Sequence, residues 1–300
     1  MIPKFPRFKK LEFFDKVDVE TFTRQHPPYS DFDFMSMWCW DTKGEMEVSL
    51  LNGNLIVRFT DYLTSEPFVS FIGSHEVFDT TDKLLKFSIK EGVQPALKLL
   101  PEVSVINLDK EAFIVSEDRN HFDYIYSVEE ISQYEGSGLK THRNSLNSFL
   151  RKYRKVEAKL LDVSNKKNQQ EILRLYGKWE KNNGFSIPNE TIAINRFLKH
   201  ANQFSSIAIG VYVEDELVAF NLHEKSPVDS AYINCLFAKT NSEFIGINAF
   251  LMNATAKILK EHNYKYINYE QDLGIYNLRQ AKNSFQPHHF LKKYTASFRP

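Results

Sequence analysis

The chain contains very little cysteine. Its 300 residues include two, Cys39 and Cys235, which lie far apart and belong to no CxxC pair. A disulfide framework needs several cysteines, and a thiolate zinc site usually needs closely spaced pairs. The nine histidines form no HExxH motif, and the adjacent His288 and His289 would point to opposite faces of a strand. The sequence therefore predicts a reducing compartment and no bound metal.

Long apolar runs and nucleotide-binding motifs are also missing. The longest near-continuous apolar run, Ile207 to Val213, is much shorter than the ~18–20 residues that cross a bilayer. The chain has no Walker loop and no G-x-S-x-G elbow, and Gly136-Ser137-Gly138 lacks the later glycine of a dinucleotide turn. We therefore expect neither a membrane-spanning nor an exported protein, and neither a nucleotide hydrolase nor a serine hydrolase.

The formal net charge is zero, but the charges are divided unequally along the chain. Residues 1–139 hold 14 Lys and Arg against 24 Asp and Glu, whereas residues 140–300 hold 24 against 14. The Gly-Ser-Gly stretch between them predicts a linker and two domains, 1–138 and 139–300. A basic half is typical of a surface that faces a nucleic acid, a phosphorylated cofactor or an anionic lipid. Alternatively, the two halves attract each other.

The periodicity of apolar residues predicts an α+β protein in which one order of elements occurs twice. In the first half we expect strands at 45–51, 55–62 and 67–72, a helix at 80–91, a strand at 103–108, a helix at 110–116 and a strand at 124–127. In the second half we expect a strand at 156–161, helices at 169–182 (ending near Gly184) and 191–203, strands at 207–213, 217–224 and 231–237, a helix at 245–261, a strand at 266–269, a helix at 275–285 and a strand at 290–298. This order resembles two tandem GNAT-like acyltransferase units with mixed sheets. A basic helix at 139–155 is expected to bridge them.

Two carboxylates follow the strand predicted at 266–269. The carboxyl end of a parallel strand is where open α/β sheets usually bind ligands. Because strand side chains alternate, Glu270 and Asp272 should share one side, where they could accept a proton from an attacking nucleophile or hold an ammonium group. Alternatively, Asp272 only stabilises the N-terminus of the next helix through the helix dipole.

The helix predicted at 275–285 carries a polar face. Tyr276, Arg279 and Lys282 recur at i, i+3 and i+6. Arginine offers a planar fork and lysine a point charge, so this face is suited to the phosphates of a tRNA acceptor end or a lipid head group. A solvated helix face would give the same spacing.

The loop before the helix at 245–261 occupies the place where CoA-dependent GNAT enzymes bind pyrophosphate. The expected pattern is Q/R-x-x-G-x-G/A, in which backbone N–H groups at a helix N-terminus hold the anion. Gly246 fits the pattern, but Glu243 places an anion where Gln or Arg is expected, and Asn248 replaces the last small residue. Binding of acyl-CoA through Gly246 and Asn248 is therefore disfavoured, and a simple helix-start turn is the alternative.

Four stretches resemble the soluble C-terminal domain of phosphatidylglycerol lysyltransferases, which are Fem-like acyltransferases. They are Tyr29–Phe32 running into Trp38–Trp40, then Lys140–Phe149, then Tyr269–Gly274, and finally Asn277–Phe285 continuing to Lys293-Tyr294. The resemblance implies transfer of an aminoacyl group from the ester of a charged tRNA to an acceptor hydroxyl or amine, with no further cofactor. Within these stretches we expect Glu270, Asp272 and Tyr276 to be catalytic, and we expect contacts to substrate from Arg143, Asn144, Asn147, Arg279, Lys282, Lys293 and Tyr294.

The sequence thus predicts an acyltransferase that acts by direct attack, with aminoacyl-tRNA as donor and an anionic lipid head group or an amine as acceptor. We expect it in the cytoplasm or at the inner face of the membrane. A CoA-dependent N-acyltransferase is one alternative, and a non-catalytic module that binds RNA or an anionic membrane is another. The aminoacyl-transfer hypothesis also predicts a continuous positive surface that opens towards Glu270 and is formed by Arg143, Arg151, Lys152, Arg279 and Lys282.

Overall fold

One order of elements occurs twice along the chain. The computed structural model describes residues 1–183, 187–203 and 205–300. The elements of the first half and of the segment after it are β1 Lys9–Lys10, α1 Lys16–Thr23, α2 Phe34–Trp40, β2 Glu47–Leu51, β3 Asn54–Thr60, β4 Pro67–Ile72, α3 Val77–Lys90, β5 Leu97–Pro101, α4 Glu102–Val105, β6 Phe113–Glu117, β7 Asp123–Ser127, α5 Val128–Gln133 and α6 Lys140–Lys152.

The second half repeats a strand, two helices, three strands, a helix, a strand and a helix. Its elements are β8 Val156–Leu160, α7 Lys166–Asn183, α8 Glu190–His200, β9 Ser206–Val213, β10 Glu216–Lys225, β11 Tyr232–Thr240, α9 Ile247–Glu261, β12 Tyr266–Asn268, α10 Tyr276–Ser284, β13 His289–Leu291 and β14 Lys293–Phe298. The α+β class with mixed sheets is confirmed. The expected end of a helix near Gly184 lies outside the described residues.

The two halves exchange one strand each. A seven-stranded sheet has the order β13-β7-β12-β11-β10-β9-β8, so β7 from the first half lies between two strands of the second. In return, the last strand, β14, lies between β5 and β6 of the first half. The domain boundary predicted at residue 138 stays a prediction. In the structure, strands from both sides of this residue pair within the same sheets.

The central strands of the second half are buried on both faces. In β9 and β10 nearly every side chain is buried, because helices and the first half cover the sheet. The largest core cluster accordingly combines residues of both halves, for example Phe34 and Val57 with Phe197 and Phe220. The interface between the halves is therefore part of the hydrophobic core.

A group of buried carboxylates also joins the halves. Asp33 caps α2, since its Oδ1 accepts the backbone N–H of Ser36 at 3.1 Å. Glu224 on β10 accepts a hydrogen bond from Lys16 of α1 at 2.9 Å. Burial raises the pKa of both Asp33 and Glu224 above the ordinary values of carboxyl groups.

Three expectations about elements are wrong. Residues 102–105 form the short helix α4, and the neighbouring strand, β5, lies just before it. Residues 113–117 form the strand β6 instead of a helix, since they pair with β14. The expected last strand at 290–298 is two strands in different sheets. The basic helix α6 packs its buried Phe149 on α9, and Arg143 of the same helix contacts the end of the first half, so the expectation that α6 bridges the halves stays a prediction.

The parallel pair β11–β12 separates after three residue pairs. Tyr232, Ile233 and Asn234 pair with Tyr266, Ile267 and Asn268. Beyond this point β11 continues to Thr240 alongside β10, whereas β12 ends. The two chain segments therefore diverge, and a cleft opens between them. Among the described residues, no helix has the length and hydropathy to cross a membrane.

Candidate active site

Glu270, the second residue after β12, lies in the cleft between the diverging segments. Asn268 Oδ1 accepts the backbone N–H of Glu270 at 2.8 Å, and Glu270 adopts a left-handed backbone conformation with φ of 57°. This conformation is uncommon for a residue with a Cβ, and it often marks functional sites. The regular alternation of a strand is lost here, so the expectation that Glu270 and Asp272 share one side is wrong.

Glu270 lies in a cleft that we call the inner cleft. The cleft has a volume of ≈ 710 Å³, and its walls come from both halves, including Ser30, Trp40 and Tyr62 from the first and Cys235, Glu270 and Gln271 from the second. Trp40 packs on Tyr62 with 5.7 Å between ring centroids. Trp38, by contrast, is 8% exposed and belongs to the core.

Glu270 is half-buried, and one oxygen of its carboxyl, Oε1, is buried without a hydrogen-bonding partner among the described residues. Burial raises the pKa of Glu270 to about 8, and Lys282 opposes this rise. A carboxyl with a pKa near neutrality changes its protonation state readily, as a general base must. Unpaired buried carboxylates are costly, so this one indicates a functional role.

Lys282 lies beneath the same segment. Its ammonium group donates hydrogen bonds to the carbonyl oxygens of Tyr269 and Gln271, both at 2.6 Å, on either side of Glu270. Burial lowers the pKa of Lys282 to about 8, and Glu270 opposes this shift. The lysine therefore fixes the backbone that carries Glu270, and it is not available to hold phosphates.

A buried ion cluster supports the floor of the inner cleft. Lys293 on β14 is fully buried and contacts the carboxylates of Asp31 and Asp123, the latter at 2.7 Å. Its ammonium group also donates to Gln271 Oε1 at 3.2 Å. Burial lowers the pKa of Lys293, but Asp123 and Asp31 outweigh this effect and leave the pKa raised. Lys293 thus stays charged and positions the segment beside Glu270, and the expectation that it contacts substrate is wrong.

Asp272 points away from the cleft into a second ion cluster. Arg279 binds it with two hydrogen bonds of 2.9 and 2.7 Å, Arg119 adds one of 3.2 Å, and the Tyr124 hydroxyl donates one of 2.6 Å. Burial favours the neutral acid, but these donors, Arg279 foremost, lower the pKa of Asp272. The carboxylate is fully engaged, so its predicted role as a base is corrected to a structural one.

The predicted phosphate-binding face of α10 does not form. Arg279 is committed to Asp272, and Lys282 is committed to backbone carbonyls. Tyr276 is 72% exposed and lies outside the cleft. The expectation of a continuous positive surface is therefore wrong for Arg279 and Lys282, because both cations are bound to partners within the protein.

The remaining predicted contacts lie away from Glu270. Asn144 and Asn147 are exposed on α6. Arg143 donates to the carbonyl oxygens of Tyr134 and Gly136 at 2.5 and 3.3 Å. The hydroxyl of Tyr294 donates to Glu102 at 3.3 Å. None of these four side chains lines the inner cleft as the structure describes it.

A larger groove continues from the inner cleft. This outer groove has a volume of ≈ 1490 Å³ and runs between β11, α9 and α10, with Asn248, Leu251, Asn277 and Phe285 in its walls. Six residues line both spaces, and these are Ile187, Ala238, Lys239, Tyr269, Leu278 and Lys282. A long donor in the groove could therefore present its reactive end beside Glu270.

The start of α9 is tightly packed. Gly246 has φ of 93°, and a Cβ there would lie 2.9 Å from the carbonyl oxygen of Ser145. The backbone N–H of Ile245 is already bonded to the Tyr153 hydroxyl at 3.2 Å, and that of Ile247 to Phe244 at 3.0 Å. Asn248 accepts a hydrogen bond from Thr240 at 2.8 Å. Gly246 is thus required for helix packing, and few free N–H groups remain there for a pyrophosphate.

Sequence reasoning missed several residues of the site. Asp31 lies within the Tyr29–Phe32 stretch that resembles the family, so the sequence contains a signal for it. No sequence pattern indicates Asp123. Lys239 is paired with Glu190 at 2.7 Å, and its ammonium group lies 4.1 Å from the Trp179 ring. These contacts join β11 to α7 and α8, and no local sequence pattern indicates them.

Comparison with solved structures identifies the fold. A conserved protein of unknown function from Bacteroides thetaiotaomicron is 24% identical, with a TM-score of 0.82 and full coverage of both chains. L-PGS from Bacillus licheniformis is 14% identical, with a TM-score of 0.62 over 99% of this chain and 93% of that one. FemX is 11% identical, with a TM-score of 0.57 over 98% and 97% of the two chains. The fold is that of the GNAT-like and Fem-type acyltransferases, as predicted.

The family follows from the sequence itself. The model of the family "Phosphatidylglycerol lysyltransferase, C-terminal" matches residues 23–297. The chain therefore belongs to this family and is an acyltransferase. A search of curated proteins finds no significant match.

Proposed function

We propose that the protein transfers an aminoacyl group from charged tRNA to the hydroxyl or amine of an acceptor, with Glu270 as the general base. The observation that carries the proposal is the Glu270 carboxyl at the point where β11 and β12 diverge: its buried Oε1 has no hydrogen-bonding partner among the described residues, and burial raises its pKa to about 8. The family membership supports acyl transfer, and the resemblance to Fem-type enzymes supports an aminoacyl donor.

The two connected spaces suit a reaction between two substrates. The acceptor lies in the inner cleft and loses its O–H or N–H proton to Glu270. Its freed electron pair forms a bond to the ester carbonyl carbon of the donor, which reaches the same point through the outer groove. The bond between that carbon and the ribose oxygen then breaks, and the oxygen takes up a proton.

Direct attack is favoured over a covalent enzyme intermediate. Cys235 is the one thiol that lines the inner cleft as described, and burial raises the pKa of this thiol well above its ordinary value. A thiol held neutral is a poor nucleophile. Acyl-CoA is a less suitable donor than charged tRNA, because the start of α9 is crowded and Glu243 stands beside it.

The test is transfer by the purified protein from a mixed pool of charged tRNA. Mass spectrometry of added lipids and amines identifies the product, and the amino acid left on tRNA gives the rate. Glu270→Gln should reduce the rate by ~10²–10⁴-fold, as expected for loss of a positioned general base, with tRNA affinity unchanged. Glu243→Gln, which removes an equal charge at the α9 loop, is the matched control and should retain full activity.

Full transfer by a folded Glu270→Gln variant would contradict the assignment of the base. Protection of the protein against thermal unfolding by CoA, together with transfer from acyl-CoA, would instead support the CoA-dependent alternative.

A further inference from the structure

Helix α6 presents a basic and partly apolar surface to solvent. We call it the α6 surface and define it by its exposed cations and two exposed apolar residues, namely Lys140, Leu150, Arg151, Lys152, Arg154, Lys155 and Ile245. Lys140, Asn144, Asn147 and Arg151 recur at i, i+4, i+7 and i+11, opposite the buried Phe149. This face is therefore fixed in orientation by the packing of α6 on α9.

The charge of the α6 surface is of one sign. No acidic residue occurs from Lys140 to Lys155. Within the described part of the chain, none of the five exposed cations of the α6 surface forms an ion pair. Two acids from other segments lie beside it: Glu214, whose N–H donates to the Lys155 carbonyl, and Glu243, whose carbonyl accepts from Tyr153. The cations outnumber these acids, so the surface attracts anions.

Two large apolar side chains lie at the edge of this basic surface. Leu150 is 50% exposed and Ile245 is 67% exposed. Both border the contact between α6 and the start of α9, where Phe149 packs against Gly246 and the Tyr153 hydroxyl accepts the Ile245 N–H. A nucleic acid backbone would satisfy the cations alone. An anionic bilayer would satisfy the cations with its head groups and would also bury the two apolar side chains.

We propose that the α6 surface docks the protein on an anionic lipid surface, with Leu150 and Ile245 entering the interfacial region. Asn248, which lines the outer groove, lies three residues after Ile245. Docking would therefore bring one wall of the groove close to the lipid head groups. The inference concerns binding alone, so it stands or falls independently of the proposed transfer reaction.

Flotation with lipid vesicles tests the proposal. The full chain should bind vesicles that contain phosphatidylglycerol and should not bind vesicles of pure phosphatidylcholine. Each basic residue near such a surface contributes about fivefold in affinity, so replacing Lys140, Arg151, Lys152 and Arg154 by Gln should weaken binding at least about tenfold. The matched control replaces four exposed lysines of the first half, Lys4, Lys43, Lys90 and Lys110, and should bind like the wild type.

The apolar pair separates lipid from RNA. Leu150→Ser with Ile245→Ser should weaken vesicle binding several-fold and leave tRNA binding unchanged. The proposal is overturned if the wild type does not bind phosphatidylglycerol vesicles, or if the control variant weakens binding as much as the α6 variant. It is also overturned if the serine pair has no effect on vesicles while the α6 charge variant loses tRNA, because the surface would then be an RNA site.

Discussion

Replacing Glu270 by Gln should stabilise the fold at neutral pH while it removes the proposed catalytic base. The buried Oε1 of the native carboxyl has no partner among the described residues, so the charged form is penalised and its pKa rises to about 8 from the ordinary 4.5. A group whose pKa is raised on folding contributes stability that is present at low pH and is lost as the pH rises through the folded pKa. The wild type should therefore lose stability between pH 5 and pH 8.

The magnitude follows from the shift in pKa. At pH 7 the solution pH lies about 2.5 units above the pKa of the Glu270 carboxyl in the unfolded chain. This difference corresponds to a loss of about 3 kcal/mol in the free energy of unfolding. Water penetration and the neighbouring Lys282 reduce this figure, so we expect the stability difference between Glu270→Gln and the wild type to grow by about 2–3 kcal/mol from pH 5 to pH 8. Above pH 8 the lowered pKa of Lys282 acts in the opposite direction, so the comparison ends there.

Urea denaturation at pH 5, 6, 7 and 8 measures this difference, with circular dichroism as the probe and transfer activity assayed on the same samples. We expect Glu270→Gln to be more stable than the wild type at pH 8 and to have lost its transfer activity. A constant difference across this pH range would refute the reasoning, since it would mean that the native Glu270 titrates like an exposed carboxyl.

Three further changes test the structure around the site, each by urea denaturation. Asp272→Asn should lower the free energy of unfolding by about 2–4 kcal/mol because it unpairs buried ionic contacts, whereas Glu117→Gln, in an exposed ion pair, should cost less than about 1 kcal/mol. Gly246→Ala should destabilise by about 1–3 kcal/mol through its positive φ and close packing, whereas Gly177→Ala, in the open α7 helix, should stabilise by up to about 1 kcal/mol. Asp33→Asn should gain stability relative to the wild type as the pH rises above about 4, the ordinary pKa of an aspartate side chain, because burial raises the pKa of Asp33 in the folded state; an unchanged difference would argue against that burial effect.

The repeated order of elements could be predicted because it rests on local patterns. Strands such as 207–213 and the helix at 245–261 carry clear apolar periodicity, and the structure has them at Ser206–Val213 and Ile247–Glu261. Residues 113–117 could not be assigned locally, since they become a strand by pairing with β14, far along the chain. Local propensity gives way to such tertiary contacts.

The position of the site could be predicted, but the roles within it could not. The sequence predicts Glu270 and Asp272 at the end of a strand, yet Oε1 of Glu270 has no hydrogen-bonding partner among the described residues, whereas Asp272 is bound by two arginines. The difference arises from the positive φ of Glu270 and from Arg119, which is 153 residues from Asp272. The spacing of residues in a single sequence indicates neither this backbone conformation nor this long-range contact.

The exchange of β7 and β14 makes the first half depend on residues that are synthesised much later. The ammonium group that neutralises Asp31 and Asp123 belongs to Lys293, which is synthesised 170 residues after Asp123. Until then the nascent first half holds two carboxylates that have no cation and two strands, β5 and β6, that lack the strand between them. A chain that stops short of residue 293 would leave this charge unbalanced, so quality-control proteases should remove truncated products quickly.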